Sequence, residues 1–194
     1  MRGTREWLNP PADVVQHDDA LTVTAEHGSD FWRETLYGFT RDSGHALLVP
    51  VEPSGSLEVS FFVSFDGRYD QAGLMLRNDA AHWIKAGVEI TDGAPHVGAV
   101  VTHGRSDWSL APVPEWAGRE VTVRASWAAG AVTLRARPDG EAWRTIRVAP
   151  FEVGAATGAG LYLCAPERAG TVVTFTRVRH GKSDTDLHED PPTA

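Results

Sequence analysis

Cysteine is nearly absent from this chain. The single residue, Cys164, excludes an internal disulfide framework and any zinc site built on paired thiolates. A reducing compartment is the setting that fits. Long apolar runs are missing as well: no stretch approaches the ~18–20 residues of a membrane-spanning helix. The opening MRGTREWLNPPADV carries Arg2, Arg5 and Glu6 where a secretory signal would have an apolar run. The expected location is therefore the cytoplasm. No block of Lys or Arg occurs, and 18 basic side chains against 26 acidic ones leave a formal charge of -8. Nucleic acid and anionic membranes are bound chiefly by cationic charge, so neither is expected as a partner, whereas a neutral or cationic ligand stays open.

What the chain does have is globular: 194 residues, 42% hydrophobic and 23% charged, with seven Trp equalling seven Phe. That length suits one domain, and this composition excludes disorder across the whole chain. Neither an internal repeat nor a Pro- or Gly-rich linker divides it, so residues 1–180 are expected to form a single domain. The last stretch, GKSDTDLHEDPPTA, sets four carboxylates against one Lys and lacks a hydrophobic pattern; residues 181–194 read as a disordered acidic tail.

Apolar residues alternate through most of the sequence. Leu57, Val59, Phe61, Val63 and Phe65 interleave with Glu58, Ser60, Phe62 and Ser64, and the stretches 121–127, 131–137 and 171–178 behave likewise. Asp66-Gly67, Asp92-Gly93, Ala129-Gly130 and Asp139-Gly140 each fall between two such runs, as hairpin turns do. Many short strands with frequent turns predict an all-β antiparallel sandwich or barrel.

The most informative stretch is YDQAGLMLRNDAAHWIKAGVEI, residues 69–90. Ala72, Leu74 and Leu76 share one strand face, as do Ile84, Ala86, Val88 and Ile90 in the next strand, and these faces suit a core. The opposite faces carry Gln71, Gly73, Met75 and Arg77, then Trp83, Lys85, Gly87 and Glu89. With 78–82 as the loop, the simplest register pairs Arg77 with Trp83, Met75 with Lys85, Gly73 with Gly87 and Gln71 with Glu89; a slip of two would keep the faces and change the partners. The facing glycines would leave a notch where a ligand could approach the backbone, or they could mark sheet coiling. Around the notch stand an indole, cations, a carboxylate and an amide, a mixture that suits a sugar or other polyol. Taken singly, the same residues have plainer readings: Arg77 over Trp83 as a cation–π pair, Lys85 with Glu89 as a solvated ion pair.

Downstream, VVTHGRSDWSLAP would place Ser106 and Trp108 on one face of an extended chain and Asp107 on the other, while GSDFWRETLYGF offers Asp30, Phe31 and Trp32. The expected ligand-binding set is accordingly Trp32, Asp70, Gln71, Arg77, Trp83, Lys85, Glu89, Ser106, Asp107 and Trp108. None of GxSxG, HExxH, a P-loop or GxGxxG is present. The eight His show no spacing that demands a metal, and no cofactor is expected.

In this order, DFW at 30–32, YDQAGLMLR at 69–77, WIKAGVE at 83–89 and SDWS at 106–109 resemble the signature of an uncharacterised "regulation of enolase"-like domain family; GLYLCAPE at 160–167 follows the pattern less strictly, with Cys164 at a position usually small. The resemblance spans roughly residues 7–180 and implies the concanavalin A-like lectin/glucanase sandwich, a curved jelly roll. It also implies that the polar floor is the concave face, where that superfamily commonly holds saccharides. Related glucanases carry E-x-D-x-x-E on one strand, which this sequence lacks. Three roles follow as expectations: a non-catalytic binder of a saccharide or related polar small molecule; a sugar-active enzyme using Glu89, the one catalytic candidate, with Asp70 or Asp107 as second carboxylate; or an interaction module, such as a homodimer.

Overall fold

The computed structural model describes residues 5–191; residues 1–4, at the start of the expected domain, and 192–194, at the end of the expected tail, lie outside the described residues. In chain order the strands are β1 (Glu6–Leu8), β2 (Asp13–His17), β3 (Ala20–Thr24), β4 (Phe31–Arg33), β5 (Thr40–Asp42), β6 (His45–Pro50), β7 (Gly55–Phe62) and β8 (Gln71–Arg77). There follow β9 (His82–Thr91), β10 (Ala94–His103), β11 (Arg105–Pro112), β12 (Glu120–Ala128), β13 (Ala131–Pro138), β14 (Arg144–Pro150), β15 (Gly158–Cys164) and β16 (Val172–Gly181). A short 3-10 turn at Pro114–Trp116 is the sole helical element among the described residues, and none there is a helix long and apolar enough to cross a membrane.

Two seven-stranded antiparallel sheets form a sandwich, one ordered β1-β6-β15-β8-β9-β10-β11 and the other β14-β13-β12-β7-β16-β3-β2. Alternation puts Leu74, Leu76, Ile84, Val88 and Leu161 of the first sheet against Leu57, Phe61, Val123, Leu134 and Phe175 of the second, all at most 2% exposed. Tight turns close the hairpins expected at Asp92-Gly93, Ala129-Gly130 and Asp139-Gly140, whereas Asp66-Gly67 closes none: it lies on the crossing from β7 in the second sheet to β8 in the first. Asp92 and Gly93 take φ of 51° and 75°, the double left-handed pair of a type I′ turn joining β9 to β10.

The segment after β16 is docked. Arg124 and Arg135, on the outer face of the second sheet, donate to the Asp184 carboxylate at 2.6 and 3.0 Å, and Arg135 also donates to the Leu187 carbonyl at 2.6 Å. An acidic run reads as solvated because charge is best left in water. Here two arginines at 5% and 3% exposure need counter-charge, and Asp184 supplies it together with Glu58, 2.7 Å from Arg124.

A third, two-stranded unit positions the site. β4 and β5 form a hairpin laid on the outer face of the first sheet, tied there through Arg33: its backbone N–H donates to Ser106 Oγ at 2.9 Å and its Nε to the Gly104 carbonyl at 2.9 Å.

Candidate functional site

β8 and β9 pair with Arg77 opposite Trp83, Met75 opposite Lys85, Gly73 opposite Gly87 and Gln71 opposite Glu89. β10 extends the glycine pair, because Gly98 stands opposite Gly87. A Cβ at Gly73 or Gly87 would fall 2.0 Å from a carbonyl oxygen of the other strand, and at Gly98 2.0 Å from that of Ser109. These glycines are thus required by close strand approach and backbone bending, as well as leaving the floor bare of side chains.

The β4–β5 hairpin divides the floor. Toward one end, Phe31 covers it and completes a second apolar cluster with Met75, Trp83, Val100, Tyr162 and Cys164. Trp83 is 1% exposed, its ring centroid 6.0 Å from that of Phe31. Arg77 is held by both carboxylate oxygens of Asp42, each at 2.8 Å, and has Phe31 rather than Trp83 beneath its guanidinium. Trp83 has no open face to offer a ligand, and Arg77, its guanidinium engaged by Asp42, lines a different cavity beside Trp7, Leu8 and Asn78.

Toward the other end the floor opens into a cavity of about 270 Å³, whose lining includes Asp30, Gln71, Lys85 and Glu89 below and Trp32, Tyr37, Phe39, Tyr69 and Trp108 around the sides. Trp32 meets Trp108 edge to face at 6.1 Å and Tyr37 at 5.6 Å, and its indole N–H donates to the Thr35 carbonyl at 3.0 Å. Trp108 is 39% exposed, so part of its ring is free. The aromatic wall is therefore preformed by packing between the capping hairpin and β11.

Charge is concentrated below this wall. The Lys85 ammonium donates to Gln71 Oε1 at 2.8 Å and to Asp30 Oδ1 at 3.3 Å. Burial works against that ammonium, but Asp30 and the neighbouring anionic groups outweigh it and hold its pKa above the ordinary lysine value. Glu89 is different. It is 8% exposed and, among the described residues, makes no hydrogen bond and no ion pair within 4 Å; burial pushes its carboxyl up to about 7, with Lys85 pulling it down and Asp30 adding to the rise. Cys164, beneath the covered end, is buried and its thiol is pushed up by desolvation, so it is no nucleophile at neutral pH. No three His, Cys, Asp or Glu side chains among the described residues converge to hold a metal ion.

Of the residues expected from the sequence, Trp32, Gln71, Lys85, Glu89 and Trp108 line this cavity. Asp70 does not: fully buried, it accepts from Arg168 Nε and Thr171 Oγ1, both at 2.9 Å, and from the Gly67 N–H at 3.1 Å, closing the loop before β8. Asp107 points outward to Arg147 at 2.6 Å, and Ser106 is spent on Thr102 Oγ1 and the Arg33 N–H. As a second carboxylate beside Glu89, neither Asp70 nor Asp107 is in place. Sequence reading passed over Asp30 as a site residue and missed Tyr37, Phe39 and Tyr69. Asp30 and Tyr69 lie inside or beside the recognisable segments, but Tyr37 and Phe39 reach the cavity only through the fold of the capping hairpin.

A family model described as "Protein of unknown function (DUF1349)" matches residues 7–183. "Regulation of enolase protein 1" of Saccharomyces cerevisiae is 41% identical over 170 residues, covering 88% of this chain and 85% of that protein. A crystal structure of a functionally unknown protein from Saccharomyces cerevisiae matches with a TM-score of 0.86 at 39% identity, over 92% of this chain and 96% of that one. Xylan beta-1,4-xylosidase from Bacillus halodurans matches with a TM-score of 0.64 at 14% identity, over 91% of this chain but 39% of the xylosidase, a likeness of fold alone. By family model and by sequence identity alike, the chain belongs to the DUF1349 family.

Proposed function

We propose that the protein is a non-catalytic binding module that holds one sugar ring, or a related polyol, between the capping hairpin and the first sheet. The observation that carries this reading is the juxtaposition of a polar floor of Gln71, Lys85 and Glu89 with a partly open aromatic wall of Trp32, Tyr37 and Trp108. An indole face covers the C–H face of a sugar ring, while amide, ammonium and carboxylate satisfy its hydroxyls. At about 270 Å³ the cavity lies just below the ~300–1,000 Å³ of most small-molecule sites, the scale of a single ring. The fold shared with part of a xylosidase is compatible with this role and does not establish it. A cytoplasmic setting accords with a chain whose single thiol is buried.

The test is titration of a monosaccharide panel followed by tryptophan fluorescence and calorimetry. Trp108→Ala is expected to weaken binding at least tenfold while costing less than about 1 kcal/mol of stability, since that ring is already partly in water. Unchanged affinity in Trp108→Ala, or no response to any member of the panel, would overturn the reading.

A sugar-active enzyme is the second reading, favoured by one observation: a carboxyl at about 7 is poised as a general acid or base. Turnover of a glycoside panel that disappears in Glu89→Gln, with binding retained, is its signature. Binding by the wild type with no turnover would remove it.

A further inference from the structure

Among the described residues, Glu89 is the one ionisable group on the floor whose charge has no close partner. Asp30 and Lys85 offset each other across 3.3 Å, and Gln71 takes a second ammonium proton. At the rim, the Arg41 guanidinium sits 4.8 Å from the centroid of Phe39. Glu167, the remaining acidic residue of the lining, stands where the chain leaves β15. The Glu89 carboxylate is more than nine-tenths buried and unbonded, yet it lines the cavity, so its free lone pairs meet whatever enters. A hydroxyl could donate to it, but would leave the charge uncompensated at a largely buried position. An ammonium would donate charge-assisted hydrogen bonds, neutralise the carboxylate and stand beside the aromatic wall of Trp32, Tyr37 and Trp108. The net charge of -8 also favours the approach of cations over anions.

We infer that the ligand is an amine-bearing sugar or polyol whose protonated amino group sits on Glu89 while its ring packs against Trp32 and Trp108. This rests on the saccharide reading above and narrows it to a ligand class.

Binding such a ligand requires Glu89 ionised and the amine protonated, so affinity should follow a bell-shaped pH profile, rising as Glu89 loses its proton and falling as the amine loses its own. Several titratable or charged groups face Glu89: Lys85 on its own strand, Asp30 from the capping segment, His96 directly opposite on β10, and Tyr162 and Cys164 on β15. Glu89→Gln leaves all of them in place. A rising limb that persisted in that variant would belong to another of these groups and would overturn the assignment to Glu89.

The experiment compares D-glucosamine, N-acetyl-D-glucosamine and D-glucose by calorimetry from pH 5.5 to 8.5, on the full chain and on Glu89→Gln. D-Glucosamine is expected to bind at least tenfold more tightly than the two neutral sugars near neutral pH. The variant should lose both that preference and the rising limb. Its folding is checked by thermal melting, and Glu89→Asp, which keeps the charge, should retain part of the preference. Equal binding of all three sugars, or tighter binding of the neutral pair, would overturn the amine inference and leave the saccharide reading standing. No binding of any of the three or of the wider panel would overturn both.

Discussion

The two ends of one strand face behave as opposites. At one end of the β8–β9 floor, Met75 and Trp83 are dry beneath Phe31, and Arg77 is closed by Asp42. Two to six residues along the same strands, Gln71, Lys85 and Glu89 are nearly as deeply set but open to a cavity. The strands, the sheet and the alternation are the same for both. What differs is the element above: Phe31 fills the space at one end, whereas Trp32, Tyr37 and Phe39 stand around a space at the other. Alternation decides which face of a strand a residue occupies; only packing from outside the sheet decides whether that face becomes a second core or a site.

The largest expected effect breaks the covered end. Trp83→Ala should cost about 3–5 kcal/mol, the usual range for emptying a fully buried aromatic site, and lower the thermal midpoint severely. A site role for Trp83 would instead have left the midpoint nearly unmoved, so a melting curve close to the wild type would overturn the division of the floor.

The open end should answer with the opposite sign. In the unfolded chain the Glu89 carboxyl titrates near 4.5, and in the folded protein near 7. Between these values the folded state holds a proton that the unfolded state has lost, so stability falls as pH rises through that window and levels off above it. The whole drop amounts to about 3 kcal/mol, since each tenfold difference in proton affinity between the two states is worth ~1.4 kcal/mol. Glu89→Gln removes it. The variant is expected to be more stable than the wild type at pH 8 and to have no such advantage at pH 4, measured by urea unfolding at both. A variant less stable at pH 8 would show that the carboxylate has a partner after all.

The fold was legible because strands need their alternation and turns such as Asp92-Gly93 and Ala129-Gly130 their left-handed residues, whereas Asp66-Gly67, read as a hairpin turn, carries the chain from one sheet to the other. The pairing of Arg77 with Trp83 through Gln71 with Glu89 was the simplest reading of loop length and pattern, with a slip of two residues as its alternative, and it is the register observed. The floor was legible as a surface, yet its occupancy was not. Nothing local to Trp83 says that Phe31, some fifty residues earlier, lies across it. Asp70 looked like a site residue because it adjoins Gln71, but strand alternation ends at that point and its carboxylate turns back to brace Gly67, Arg168 and Thr171. The acidic segment after β16 looked solvated because its arginine partners, Arg124 and Arg135, stand 60 and 49 residues before Asp184 on two neighbouring strands.

The smallest effect probes the hairpin that makes the difference. Its tip carries two non-glycine residues in the left-handed region, Glu34 at φ 59° and Leu36 at φ 63°, and Leu36 is 85% exposed. A branched side chain there costs roughly 1–2 kcal/mol, which glycine would relieve, less the ~0.5–1 kcal/mol of extra unfolded-state entropy that glycine brings. Leu36→Gly should therefore raise stability by up to about 1 kcal/mol, or ~2–4 °C in midpoint for a chain of this size. Such strain persists where surrounding structure holds a loop in one shape. This tip presents Tyr37 and Phe39 to the cavity, so relaxing it is expected to loosen the wall and weaken ligand binding even as the melting point rises. If instead the midpoint falls, the exposed leucine side chain is itself a contact that holds the cap over the open end.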